Sequence, residues 1–443
     1  MNAEKSAHKP AAAMPGRRLA GALTAPGDKS VSHRALMLGA LADGETKITG
    51  LLESADVLAT LTAMQALGAE ITKTGAGSYT VKGSARRLTT PSTPLDFGNA
   101  GTGVRLTMGL VAGAGLEATF IGDESLSARP MKRILDPLGQ MGLEASSTEG
   151  RLPVSFKASA LSGMEYAPPI ASAQVKSAIL LAGLGAQGET IVRESRATRD
   201  HTETMLKAFG ADLSVEEDGS GGIIRLTGPQ SLTACDVTVP GDPSSIAFAL
   251  IAALVVPGSE VTITGVMMNP LRTGLIRVLK RMGADIHLTS KRASGGEEIA
   301  DVEVRASRLS AIDLEPDIAP DMIDEYPILA VACAFANGTS RLRGLAELRA
   351  KESDRLAATH ALLAGNGVET RIEGDDLIIE GGQPSGGRLV ETHHDHRIAM
   401  SGLVLGLAAR NTVRVDDISM IATSYPGFIA DMTALGAVIE THT

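Results

Sequence analysis

The sequence predicts a mixed α/β protein of two lobes, each made of three copies of one unit, and two observations carry that expectation. The first is a phrase that recurs six times at intervals of roughly 70 residues: an amphipathic helical stretch, a glycine, a small or charged residue and an extended run. It reads Ala66-Leu67-Gly68-Ala69-Glu70, Gln140-Met141-Gly142-Leu143-Glu144 and Ala208-Phe209-Gly210-Ala211-Asp212. It returns as Arg281-Met282-Gly283-Ala284-Asp285, Gly365-Asn366-Gly367-Val368-Glu369 and Ala434-Leu435-Gly436-Ala437-Val438. Glycine just past a helix supplies the left-handed C-cap residue, and a strand then begins. The second observation is that an Ala/Leu-rich helix, a polar turn and a short strand precede each of these phrases.

Taken in order, the Ala-rich helices are expected over 32–42, 102–114, 173–185, 244–256, 325–336 and 396–409. Turns such as Asp43-Gly44-Glu45, Gln187-Gly188-Glu189 and Pro257-Gly258-Ser259 lead to strands at Thr46–Leu51, Thr190–Val192 and Glu260–Thr264. These helices are apolar almost all round, as a helix buried between others or beneath sheets must be. Pro240-Gly241-Asp242-Pro243-Ser244-Ser245 echoes Pro26-Gly27-Asp28-Lys29-Ser30, which puts the seam between lobes near Val237–Pro243. Two lobes imply a cleft, a common ligand site that closes on binding.

Composition narrows the function. Aromatics are 2% of the 443 residues and Trp is absent, so the core is built from Ala, Leu, Ile, Val and Met. A formal charge of -10 and the missing rings argue against a nucleic-acid partner, which needs a basic surface and stacking. Small anions remain accessible to an acidic protein whose Lys and Arg converge. Cys235 and Cys333 form neither a disulfide framework nor a zinc site. No apolar run has the length of a membrane span, and residues 1–18 read as a loose, flexible tail. The expectation is a soluble protein of a reducing compartment.

The chemistry-bearing residues stand at the starts of the Ala-rich helices. Lys29, Ser30, His33 and Arg34 open the first, where two cations oppose the helix dipole unless an anion lies between them and the free N–H groups. A solvated helix start is the bland alternative. Asn99-Ala100-Gly101-Thr102-Gly103, with Arg105 beyond it, opens the second; small residues let backbone approach a ligand, though a tight turn has the same composition. Ser172-Ala173-Gln174 opens the third, either as donors to hydroxyls and phosphate or with Ser172 as a plain N-cap. Arg129 and Arg199 sit on intervening loops. Asp324, at the fifth start, serves as a base, holds a hydroxyl, or merely caps. Lys351 and Arg355, four apart, are expected to share a helix face, with Glu352 beside Arg355; a solvated charged face is the competing account. His393-His394-Asp395-His396-Arg397 opens the sixth. Its adjacent spacing suits a metal poorly, and Arg397 as an anion ligand is the better reading.

These residues resemble a known family. Gly27-Asp28-Lys29-Ser30…His33-Arg34, Gly98-Asn99-Ala100-Gly101-Thr102-Gly103, Ser125…Arg129-Pro130-Met131, Arg349…Lys351-Glu352-Ser353-Asp354-Arg355 and Asp395-His396-Arg397-Ile398-Ala399-Met400 are similar to motifs of the 3-phosphoshikimate 1-carboxyvinyltransferases, or 5-enolpyruvylshikimate-3-phosphate synthases, of the enolpyruvyl transferase family. The likeness runs from Leu19 to Glu440. It implies two inside-out α/β barrels, each of three βαβαββ units: a first lobe over 24–239 and a second over 19–23 plus 240–443. It also implies transfer of the enolpyruvyl group of phosphoenolpyruvate to the 5-hydroxyl of shikimate 3-phosphate, on the route to chorismate and aromatic amino acids. No metal or organic cofactor is implied, and the expected form is a cytoplasmic monomer acting on small molecules.

By the same resemblance, shikimate 3-phosphate is held by Lys29, Ser30, Arg34, Ser172, Ala173, Gln174, Arg199, Asp324 and Lys351. Phosphoenolpyruvate is held by Lys29, Gly101, Arg129, Gln174, Arg355 and Arg397. Glu352 is assigned as proton donor to the methylene carbon and Asp324 as base, with Lys29 assisting. Two departures matter. Ala422-Thr423-Ser424-Tyr425-Pro426 lacks the lysine that many relatives carry before the aromatic-Pro pair. That spelling and Ser172-Ala173-Gln174 resemble the family's second class, some members of which have Ala where Gly101 stands; glyphosate is expected to inhibit this chain more readily than those. The rivals are enolpyruvyl transfer to UDP-N-acetylglucosamine, which relies on a cysteine on a mobile loop, and a non-catalytic anion-binding protein.

Overall fold

The computed structural model describes residues 8–85, 87–294 and 296–441. The chain forms two compact units. One is Gly27–Pro240; the other joins the chain up to Pro26 with Gly241–Ala293 and the residues from Glu297 onward.

Among the described residues, each unit contains three four-stranded sheets of one pattern, a short strand parallel to a longer one, followed by two antiparallel strands. In the Gly27–Pro240 unit, Val237–Thr238 lies parallel to Glu45–Thr49, which pairs with Ser78–Lys82 and then Glu70–Gly75. The last strand of the unit thus completes its first sheet and closes the repeat on itself. Leu95–Asp96 with Ala118–Ile121 and Glu165–Tyr166 with Gly188–Glu194 start the other two sheets.

The Ala-rich helices are Lys29–Leu41, Gly101–Gly113, Ala173–Gly183, Pro243–Val255, Tyr326–Ala334 and His396–Ala408. They are buried along nearly their whole length, whereas sheet edges such as Ala145–Thr148 are exposed throughout. Helices inside and sheets outside are what near-uniformly apolar helices require. Small residues let them approach closely: a Cβ at Gly109 would lie 2.2 Å from the carbonyl oxygen of Ala178 on the neighbouring helix. All six phrase glycines take the left-handed conformation, with φ between +82° (Gly210, Gly367) and +109° (Gly142). Each therefore ends its helix as the repeat predicts.

The expectation of a loose tail over residues 1–18 fails at Ala11–Met14, and its first seven residues lie outside the described ones. Ala11–Met14 is an inner strand of the last sheet, paired with Val413–Val415 on one side and Val438–Thr441 on the other. Ala11, Ala12 and Ala13 are buried. The sixth repeat ends at that edge strand without a hairpin partner of its own, and the N-terminal segment fills the gap. A short Ala run has weak intrinsic strand preference, so its pairing comes from tertiary context. Ala20–Thr24 adds in parallel to Glu260–Met267 in the same unit. No helix among the described residues is long and apolar enough to cross a membrane.

Candidate active site

In the Gly27–Pro240 unit, Asp28 caps the first helix by accepting from Val31 N–H at 2.8 Å. Lys29, the first helical residue, meets Asp56 at 2.8 Å. The acid offsets a cation at the positive end of a helix. Arg34 is buried: Nε donates to Thr202 Oγ1 (2.7 Å), Nη2 to Ser177 Oγ (2.7 Å) and Nη1 to the Ser30 carbonyl (2.9 Å). Its guanidinium thereby ties Lys29–Leu41 to Ala173–Gly183 and to the His201–Ala208 helix. His33, fully buried, shares a 2.7 Å hydrogen bond with Thr60 Oγ1. Burial, then the charges of Lys29 and Arg34, hold its imidazole well below the usual value and keep it neutral.

The starts of the second and third Ala-rich helices are joined. Arg105 Nη1 donates to Gln174 Oε1 (2.8 Å), and Gln174 Nε2 donates to Thr102 Oγ1 (3.0 Å). Arg129 Nη2 reaches Asn99 Oδ1 (2.7 Å) and Ser125 Oγ (3.3 Å). An alanine Cβ at Gly101 would lie 3.0 Å from Arg129 Nη1 and 3.6 Å from Arg105 Nη1. Neither Gly101–Gly113 nor Ala173–Gly183 has a side-chain cap; Ser172 occupies the N-cap position, its carbonyl accepting from Lys176 N–H at 3.1 Å while its hydroxyl makes no capping bond. Uncapped N–H groups at a helix start favour an anion. Arg199 is half-buried just before His201–Ala208.

In the other unit, Arg355 is the organising cation. Its Nε and Nη2 hold Asp395 at 2.8 and 3.2 Å, Nη1 meets Asp324 at 3.3 Å, and Nη2 meets Glu352 at 2.6 Å. Burial disfavours its charge, but Asp395, Glu352 and Asp324 outweigh that and raise its pKa. Asp324 also meets Lys351 Nζ at 3.3 Å, and Lys351 meets Glu347 at 3.2 Å. Asp395 caps His396–Ala408 and accepts from Ser353 Oγ at 3.0 Å. Arg397 lies 3.7 Å from the buried Glu325.

One sequence expectation needs correction here. Lys351 and Arg355 do not share a helix face, because Asp354 caps the helix and Arg355 is its first residue. Lys351 instead sits in extended backbone before it, and the two cations meet at Asp324 rather than along a helix. Thr423, in the stretch that lacks the expected lysine, is buried and donates to the Met420 carbonyl at 2.7 Å.

Sequence reasoning missed Asp56, Glu325 and the part played by Asp395. Asp395 lay in a quoted motif and at a cap position, but nothing local marks its contact with Arg355. The cysteines lack reactive surroundings. Cys333 is fully buried, and burial pushes its thiol up to about 12 despite a hydrogen bond with Ser340. Burial and then Asp236 raise that of Cys235.

Residues 13–432 match the family EPSP synthase (3-phosphoshikimate 1-carboxyvinyltransferase). The 3-phosphoshikimate 1-carboxyvinyltransferase of Maricaulis maris is 57% identical over 435 residues, 97% of each chain. That of Rhizobium johnstonii is 56% identical over 446 residues, 98% of each. Among solved structures, EPSP synthase from Acinetobacter baumannii superposes with a TM-score of 0.87 at 42% identity, covering 98% of this chain and 100% of that one. The enolpyruvyl transferase NikO from Streptomyces tendae shares the fold, with a TM-score of 0.76 at 22% identity over 98% of this chain and 99% of its own.

Proposed function

The chain belongs to the EPSP synthase (3-phosphoshikimate 1-carboxyvinyltransferase) family, and on that premise we propose that it transfers the enolpyruvyl group of phosphoenolpyruvate to the 5-hydroxyl of shikimate 3-phosphate and releases phosphate. The observation that carries the chemistry is the Arg355 guanidinium with Asp324 on one terminal nitrogen and Glu352 on the other. Addition then elimination needs an acid and a base in fixed places beside a cation, and this arrangement supplies them.

In our reading Glu352 gives a proton to the methylene carbon while the 5-hydroxyl oxygen bonds to the central carbon and Asp324 takes the hydroxyl proton. Elimination then breaks the carbon–oxygen bond to phosphate. Glu352 recovers a proton from the new methyl group, and the proton on Asp324 leaves with the phosphate. Arg355 pairs with Glu352, and the anionic groups of phosphoenolpyruvate would share that guanidinium with it.

Lys29, Arg129, Arg355 and Arg397, with Gly101 and Gln174, are assigned to phosphoenolpyruvate, and Lys29 to the departing phosphate. Ser30, Arg34, Ser172, Ala173, Gln174, Arg199, Lys29, Lys351 and Asp324 are assigned to shikimate 3-phosphate. Arg34 serves at least in part through the tie it makes to Ser177 and Thr202. The inert surroundings of both cysteines tell against the UDP-N-acetylglucosamine rival. Phosphate release tests the proposal: it is expected with phosphoenolpyruvate and shikimate 3-phosphate together. Release with UDP-N-acetylglucosamine in place of the shikimate, or none with either acceptor, defeats it.

A further inference from the structure

Beneath the Ser172–Gln174 helix start lies a buried cluster that the mechanism does not use. Lys176, on the Ala173–Gly183 helix, is 1% exposed. Its ammonium meets Glu194 at 2.8 Å and Glu203 at 2.7 Å, and donates to the carbonyl of Thr198 at 3.2 Å. An ammonium has three donors, so these partners occupy all of them. Thr198 is gripped a second time, because its hydroxyl donates to Glu194. One residue along each helix, Thr202 Oγ1 donates to Ser177 Oγ at 2.7 Å, and both hydroxyls receive Arg34.

The partners come from three places: Glu194 ends the Gly188–Glu194 strand, Glu203 lies in the first turn of His201–Ala208, and Thr198 precedes Arg199 in the connecting segment. A buried lysine facing two carboxylates is a costly way to build a core, and replacement by apolar residues of the same volume is often neutral or stabilising. Burial lifts the Glu203 carboxyl, with Lys176 opposing and Glu194 reinforcing, while the two acids raise the Lys176 ammonium against its own burial. What such a network offers instead is geometry, since every member is fixed by directional bonds.

We propose that Lys176 is a positioning residue that holds the Thr198–Arg199 segment in register with the Ser172–Gln174 helix start, so that both meet the sugar phosphate together. The inference rests on the reading of those two segments as the shikimate 3-phosphate pocket. Because Thr198 and Arg199 are on the shikimate 3-phosphate side alone and only Gln174 is shared, Lys176 acts chiefly on one of the two substrates, although it touches neither.

The experiment is steady-state phosphate release with each substrate varied, alongside thermal unfolding. In Lys176→Met the KM for shikimate 3-phosphate rises roughly tenfold or more, while that for phosphoenolpyruvate stays within about twofold. Thr198→Val, which loosens the same segment without stranding a charge, moves the first KM in the same direction by a smaller factor. Glu203→Gln keeps an acceptor for the ammonium and stays within about threefold of the parent on both substrates. A merely structural role would lower the yield of folded enzyme and kcat and leave the two KM values unchanged or moved in parallel, which overturns the proposal. If Lys176→Met does not fold, an unchanged shikimate 3-phosphate KM in Thr198→Val overturns it equally. Arg199→Ala separates the two layers. If it leaves that KM unchanged, the pocket reading fails and takes the proposal with it; if it raises it while Lys176→Met does not, only the positioning role falls.

Discussion

Arg355 is held by Asp395 through a two-point contact, Nε to Oδ2 at 2.8 Å and Nη2 to Oδ1 at 3.2 Å, with both side chains buried. The same carboxylate accepts from the backbone N–H of Arg397 at 2.9 Å, so one acid holds the Arg355 guanidinium and caps the helix that carries Arg397, both cations being ones we assign to phosphoenolpyruvate. Asp395→Asn leaves Arg355 with a poorer buried partner. Removing a member of such a pair costs about 3–5 kcal/mol. Denaturant unfolding should show a loss approaching that range, and the KM for phosphoenolpyruvate should rise. Parent-like values for both would refute this account of Asp395.

Asp324 and Glu352 carry the proton traffic in our mechanism. Asp324→Asn and Glu352→Gln should each lower kcat by about 10²–10⁴-fold. Calorimetric binding of shikimate 3-phosphate should survive in Glu352→Gln. A protein that only bound anions would show no turnover to lose.

Gly101 lies beside Arg105 and Arg129, the second of which we assign to phosphoenolpyruvate. In Gly101→Ala the new methyl would stand 3.0 Å from Arg129 Nη1, and the guanidinium must give by a few tenths of an ångström. A methyl group in a fitted pocket discriminates by roughly 10-fold or more. The inhibition constant for glyphosate should therefore rise by at least that factor, and more than the KM for phosphoenolpyruvate. Unchanged inhibition would count against the assignment.

His33 predicts a pH dependence of stability. Burial first, then Lys29 and Arg34, hold its folded pKa well below the usual 6.5. The unfolded chain therefore binds a proton where the native state does not. Its contribution is fully present above pH 6.5 and is lost as pH falls from there toward the folded value. The expected slope is about 1.4 kcal/mol per pH unit in that window. Denaturant unfolding of His33→Gln should lack this share of the slope, and an identical slope in parent and variant would exclude it.

The repeats and the helix starts were legible in the chain because they are local. A glycine past an amphipathic stretch states its φ, and all six took the left-handed conformation. Motif spelling likewise brought Lys29, Gly101, Arg129, Gln174, Asp324, Glu352, Arg355 and Arg397 into view before any contact was known. Less legible were segments whose structure depends on a distant partner. Ala11–Met14 reads as tail because its own residues hardly favour a strand, yet pairing with Val413–Val415 and Val438–Thr441 makes it one. Lys351 looked helical from its spacing to Arg355, and the Asp354 cap placed it outside the helix.

By itself, then, the sequence determined the α/β class, the sixfold repeat, the burial of the Ala-rich helices and the family. Periodicity, caps and motifs are written over a few consecutive residues. Tertiary structure alone decided who holds whom: Asp395 and Asp324 on Arg355, Ser177 and Thr202 on Arg34, and Glu194, Glu203 and Thr198 on Lys176. Many of these partners are far apart along the chain, and a buried charge shows its partners only after the fold has excluded water and left a few neighbours within reach.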